Sequence, residues 1–204
     1  MIFNFLYLLV NIISQFVDRF GYWGIFVMTF IENTFIPIPS EITLIPAGYL
    51  ISKGDMSLFP VLIYSSLGTL LGSLFNYSIA YKYGRYLFLR YGKYFFIKER
   101  KLAIIESFFH KYGNISTFLG RILPGMKHFI SFPAGLAKMN LKLFCLFTLS
   151  GSFIWIMILI YLGYSIGNNK IFIMLYIRKI NIFFCLFVLL IIIFIILKNK
   201  FLKL

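Results

Sequence analysis

Acid is the scarcest thing in this chain. Of its 204 residues six are Asp or Glu against 20 Lys or Arg, and charged residues together make up 13%. Soluble domains carry about 25% charged and about 45–50% apolar residues, whereas here 61% are hydrophobic and the mean hydropathy is +0.91. A water-soluble globule is excluded on that balance. So is a nucleic-acid binder, because the net charge of +14 gathers in the loops between apolar runs, where membrane topology puts positive residues. Cysteine is scarce too. Cys145 and Cys185 stand inside charge-free runs, so they read as small packing residues with neither a disulfide nor a metal to hold. Residues 1 to 17 are apolar, but no Lys or Arg precedes them and no small-x-small site follows at SQFVDRF, which fits a cleavable signal peptide poorly.

What remains is a set of apolar stretches: 2–17, 20–51, 56–81, 113–137, 143–169 and 180–197. The runs 56–81, 143–169 and 180–197 lack any charge and are long enough at about 1.5 Å per residue to cross a core of about 30 Å. The first is shorter and dotted with Asn4, Asn11, Ser14 and Gln15, so it either crosses tilted or lies in the interface. The other two carry charge and proline near their middles. Segment 20–51 holds Glu32, Pro37, Pro39, Glu41 and Pro46; segment 113–137 holds Arg121, Pro124, Gly125, Lys127 and Pro133. Proline removes a backbone donor, and broken backbone at membrane depth is tolerated only inside protein or beside a wet cavity. Two re-entrant hairpins follow, shaped by Pro37 and Pro39 in the first and by Pro124, Gly125 and Pro133 in the second.

The basic stretch between Lys82 and Lys111 reads as cytoplasmic, with Leu102, Ile105, Phe108 and Phe109 spaced for an amphipathic helix on the inner leaflet. Both termini then fall on the cytoplasmic side. The tripeptide PAG recurs at Pro46 and Pro133, each time followed by a loop, an LF pair and a charge-free helix containing GS, so the hairpins belong to an inverted repeat. The expected fold is an all-α polytopic membrane protein in a single domain over 1–204: about four transmembrane helices, two opposed re-entrant hairpins and a cytoplasmic amphipathic helix. Gly68 and Gly72, with Ser65, Thr69 and Ser73, form a small-residue face for close helix packing. Asn76 fits either that face or a cavity wall.

Intramembrane charges are costly, about 2.5–3.5 kcal/mol each on insertion scales, and are functional by default. If the two tips meet, Glu32 and Glu41 balance Arg121 and Lys127. Arginine's planar fork suits a phosphate and lysine adds a point charge, while carboxylates in a dry setting are suited to exchanging protons. The expected chemistry is an anionic headgroup held by Arg121 and Lys127, with Glu32 and Glu41 coupling its occupancy to protons. A proton-coupled exporter of small cations or drugs, with the glutamates as its site, is the alternative, as is a non-transporting assembly factor. An enzyme is not expected, because no nucleophile with a positioned base lies in these segments. No cofactor or metal is implied. The partners are membrane lipids and protons, with self-association left open.

The blocks IENTFIPIPSE followed by PAGYL, and FLGRILPGMKHFISFPAGLAKMN, together with GSLFNYSIAYKYGRY, resemble the signature regions of the DedA family, also called the VTT or SNARE-associated Golgi protein domain. The resemblance covers about residues 20–170. It implies opposed re-entrant hairpins, a bacterial cytoplasmic-membrane location, and proton-dependent movement of undecaprenyl phosphate or a phospholipid between leaflets. Glu32, Glu41 and Arg121 occupy positions that the family uses as essential charges. Lys127 departs from it, because the second basic position there is usually arginine, so charge is kept and the bidentate fork is not.

Overall fold

The computed structural model describes residues 17, 19–34, 38–91, 99–123, 127 and 129–166, and among these the regular structure is wholly helical. Helix α1 covers 19–32, α2 Glu41–Lys53, α3 Leu58–Tyr91, α4 Glu99–Ile122, α5 Ser131–Leu136 and α6 Leu141–Ile166. The stretch 2–17 apart from Val17, the stretch 180–197, both termini, and the tip residues Pro37, Pro124, Gly125 and His128 lie outside the described residues.

Among the described residues two helices are long and apolar enough to cross a membrane: α3 over Leu58–Tyr86 and α6 over Leu141–Ser165. They fall on two of the expected spanning runs. Their side chains are arranged the reverse of a soluble helix. Along α3, Phe59, Ile63, Leu67, Leu71 and Phe75 recur every fourth residue and all are exposed, whereas Val61, Ser65, Thr69, Ser73 and Asn76 on the opposite stripe are buried. Large apolar groups facing outward and small polar ones facing inward suit a lipid solvent, where helix contact rests on close packing. The expected glycine face is the contact itself. A Cβ on Gly68 would meet the Phe26 carbonyl and the Thr29 hydroxyl, and one on Gly72 would meet the Phe30 carbonyl, so only glycine lets α1 lie this near α3.

Both charged segments are helix–break–helix, as their composition foretells, but their boundaries differ from expectation. In the first, α1 tightens to its end with Asn33 N–H donating to the Thr29 and Phe30 carbonyls, and α2 starts where Ile42 N–H reaches the Pro39 carbonyl. Pro46 does not interrupt α2 but lies within it. In the second, among the described residues, the amphipathic stretch does not end before the charged segment. The amphipathic stretch and the first arm form one 24-residue helix, α4, that runs through Gly113 to Ile122. No proline falls between Glu99 and Ile122, and buried Gly113 packs near Phe109 and Met139 rather than ending a helix. Phe109 of the predicted surface face is buried against Tyr77, Ala134 and Phe144, while Phe108 is exposed. Pro133 sits in the first turn of α5, a position proline tolerates, so the break precedes it.

The second arms cross over: α2 packs on α6, and α5 packs on α3. The two PAG glycines make both contacts. A Cβ on Gly48 would lie 3.0 Å from the Gly163 Cα, and one on Gly135 would strike the Tyr77 carbonyl. Leu44, Ile45, Ala47, Ile156 and Ile160 close the first contact with a buried apolar cluster.

Candidate functional site

The two breaks meet between α3 and α6, and their polar side chains converge. Lys127 Nζ is 2.5 Å from Glu32 Oε1, in an ion pair whose side chains are 9% and 2% exposed. The same ammonium donates to the Ser40 hydroxyl. Ser40 is the N-cap of α2 yet makes no cap hydrogen bond, because its oxygen is taken across the fold: Trp155 of α6 also donates its indole N–H to it at 3.2 Å. A residue type that normally satisfies a helix end is here turned toward a charge.

Arg121, at the end of α4, is 1% exposed. Its guanidinium donates to Asn33 Oδ1 at 3.3 Å, to the Lys127 carbonyl at 2.9 Å and to Ser131 Oγ at 2.6 Å, while Nε has no partner among the described residues. Every acceptor is neutral. Asn33 is itself fixed, its Nδ2 donating to the Thr29 carbonyl at 2.8 Å and its own carbonyl accepting from Asn76 Nδ2 at 3.1 Å. Asn76 is thus a brace for the first tip. Glu32, Lys127 and Arg121 sum to one positive charge where desolvation makes any charge expensive. The cavity between them is about 10 Å³, bounded also by Thr69, Ser152 and Ile156, which is room for about one water and no more.

Of the four expected charges the structure brings three together. Glu41 is half-buried in the first turn of α2 and makes no ion pair with Arg121 or Lys127, though it is near enough to act on Glu32, so in place of the anticipated quartet Glu32, Arg121 and Lys127 form the buried cluster and Glu41 stands at its edge. Of the expected shaping residues, Pro39 lies in the first break and Pro133 inside α5. The reading from sequence missed Asn33, Ser40, Ser131 and Trp155, which are uncharged.

A signal for two of them was present in the internal repeat. Thr29-Phe30-Ile31-Glu32-Asn33 aligns with Thr117-Phe118-Leu119-Gly120-Arg121, and Thr69-Leu70 before Gly72-Ser73 aligns with Thr148-Leu149 before Gly151-Ser152. The contacts repeat as well. A Cβ on Gly72 would meet the Phe30 carbonyl and Asn33 Cβ, and one on Gly151 would meet the Phe118 carbonyl and Arg121 Cβ. Asn33 therefore stands where Arg121 stands in the other half. Counting back six residues from each PAG likewise pairs Ser40 with Lys127. Each pair of equivalents is also in direct hydrogen-bonding contact.

Comparison with known proteins gives the following. The family model described as the VTT domain matches residues 38–165. An uncharacterized membrane protein, YkoX, of Bacillus subtilis is 36% identical over 162 residues, covering 78% of this chain and 72% of its own length. An alkaline phosphatase-like protein of Lactococcus lactis is 33% identical over 168 residues, 78% of this chain and 77% of its own. Undecaprenyl phosphate transporter A of Staphylococcus aureus is 32% identical over 163 residues, 78% of this chain and 80% of its own. No solved structure matches.

Proposed function

The chain belongs to the VTT-domain family of membrane proteins, and on that premise we propose that it carries a phosphate-bearing lipid, undecaprenyl phosphate or a phospholipid, between the leaflets of the bacterial cytoplasmic membrane in exchange with protons. The observation that carries this reading is Arg121: a guanidinium 1% exposed whose hydrogen bonds among the described residues all end on neutral acceptors. A buried cation group with surplus positive charge favours an anion, and a phosphate oxygen pairs with a guanidinium through short charge-assisted bonds. The family relative named as an undecaprenyl phosphate transporter supports the same class of substrate.

In this reading the two breaks are the tips of re-entrant hairpins that enter from opposite faces, with both termini cytoplasmic. The Glu32 carboxylate stands in for the phosphate on Lys127 while the site is closed. Protonation of Glu32 weakens its hold, freeing Lys127 to join Arg121 on the incoming headgroup while the apolar tail stays in lipid. Glu41, outside the ion pair, is the second proton-exchanging group. With only about 10 Å³ between the charges, the tips must part before a phosphate enters. The protein is not an enzyme in this reading: among the described residues the hydroxyl that accepts from a lysine is Ser40, and its partner Lys127 is an ammonium paired with Glu32 that has no lone pair to offer as a base.

Reconstituted vesicles test it directly, by following a labelled phosphate lipid between leaflets with and without a pH gradient. Transfer should depend on the gradient and be lost in Arg121→Gln. Full transfer by Arg121→Gln would overturn the assignment. A protein that instead moves small cations, losing them only in Glu32→Gln, would establish the exporter reading.

A further inference from the structure

A second cavity, of about 350 Å³, lies at the far end of α3, between it and the turn that follows α5. That volume is in the range of small-molecule sites. Among the described residues three cations line it, Lys82, Arg85 and Lys138, and no acidic residue does. It shares no lining residue with the buried site. Its position along the membrane normal follows from its neighbours. Lys82 is the first charge after the apolar run of α3, and Lys138 comes three residues before the apolar span of α6 begins at Leu141. The cavity therefore opens at the boundary where hydrocarbon gives way to headgroups.

The turn that presents Lys138 is built and held. Tyr77 donates its hydroxyl to the Met139 carbonyl at 2.5 Å, fixing the turn to α3. Lys138 N–H reaches the Gly135 carbonyl and Met139 N–H the Ala134 carbonyl, the pattern that also closes α2, where Gly54 and Asp55 N–H reach Ile51 and Leu50. Both closures need a left-handed residue. At α2 it is Gly54, with φ 83; at α5 it is Lys138, with φ 51 and the one non-glycine residue at positive φ among those described. Glycine adopts that conformation freely and lysine does not. A strained residue held at such a turn points to a use for its side chain, and here that side chain completes a three-cation rim with its Nζ 5.9 Å from the Tyr81 ring centre.

We propose that this cavity is a phosphate-binding site for an anionic lipid headgroup at the membrane surface, distinct from the buried site and independent of whether that site transports. Basic pockets between helices at the interface recognise lipid phosphates by local charge. Lys82, Arg85 and Lys138 supply donors from two elements, and the Tyr77 tether holds the two elements at a fixed spacing.

The test uses the purified full chain in neutral detergent at low salt, titrated with dihexanoyl phosphatidic acid, dihexanoyl phosphatidylcholine and inorganic phosphate. Affinity is compared between the wild type, Arg85→Gln, Lys138→Gly and the double variant, so that any contribution of the buried site cancels. Phosphatidic acid should bind most tightly, with each substitution weakening it about fivefold and the two together about 25-fold. Lys138→Gly should at the same time raise the melting temperature, by roughly 2–4 °C, because glycine relieves the strained turn. A purely structural role for Lys138 predicts that rise with no loss of binding, and unchanged affinity in the double variant overturns the proposal. Inorganic phosphate or phosphatidylcholine binding as tightly as phosphatidic acid overturns the assignment to an anionic lipid.

Discussion

Glu32→Gln should destabilise the protein more than Lys127→Met, although the two residues share one ion pair. The pair is buried, and Arg121 lies within the same cluster with no carboxylate partner. Removing Glu32 leaves two cations facing neutral groups; removing Lys127 leaves one of each sign. Breaking a buried pair costs about 3–5 kcal/mol, so the glutamate variant belongs near the upper end and the lysine variant near the lower. At about 2–4 °C per kcal/mol for a chain of this size, the expected losses in melting temperature are about 10–20 °C and about 6–12 °C. The molecule carries its own reporter, since Trp155 donates to the Ser40 hydroxyl that also accepts from Lys127. Trp23 is 62% exposed and can be changed to Phe to remove its background. Thermal melts in detergent followed by Trp155 emission should give the order stated, and the double variant should recover about 0.5–3 kcal/mol relative to the summed singles. Strict additivity, or a lysine variant worse than the glutamate one, would refute the reasoning that these charges act as one buried unit.

Three further outcomes follow from the same geometry. Ser131→Ala removes the acceptor 2.6 Å from an Arg121 nitrogen and should lower stability by about 1–3 kcal/mol, read in the same melt. Glu41→Gln, at a half-buried position outside the ion pair, should shift stability by less than about 1 kcal/mol, so that any large effect it has on lipid transfer reports on function alone. Gly48→Ala would drive a methyl into the Ile160 carbonyl where α2 meets α6 and should cost about 1–3 kcal/mol, seen as a lower melting temperature beside a normal melt for a control at an exposed site, Leu67→Ala.

The charges of the site could be read from the chain because charge is so rare in it. In a run as apolar as 20–51 or 113–137, Glu32, Arg121 and Lys127 announce themselves, and the prolines between them foretell a break. The neutral half of the site did not stand out, since Asn33, Ser40 and Ser131 look like ordinary turn or helix-face residues until their partners from other helices are known. Glu41 shows the converse limit: a carboxylate one residue past Ser40 looks equivalent to Glu32, yet it is only half-buried in the first turn of α2 and forms no ion pair with Arg121 or Lys127. The junction within α4 was misplaced for a related reason. Charge alone starts the apolar stretch at 113, because the basic stretch stops at Lys111, but the helix runs on through that point, with Gly113 buried beside Phe109 and Met139. Nothing in periodicity distinguishes these cases, because each is decided by residues distant in sequence.

The contacts Asn33–Arg121 and Ser40–Lys127 join residues that are one another's counterparts in the two repeats. Near an approximate two-fold axis a side chain meets its own copy, as in any isologous pairing. Two unaltered copies would therefore have set arginine against arginine and lysine against lysine, or left asparagine and serine facing themselves with no charge at all. It is the difference between the halves that sets each cation opposite a neutral acceptor, Arg121 against Asn33 and Lys127 against Ser40.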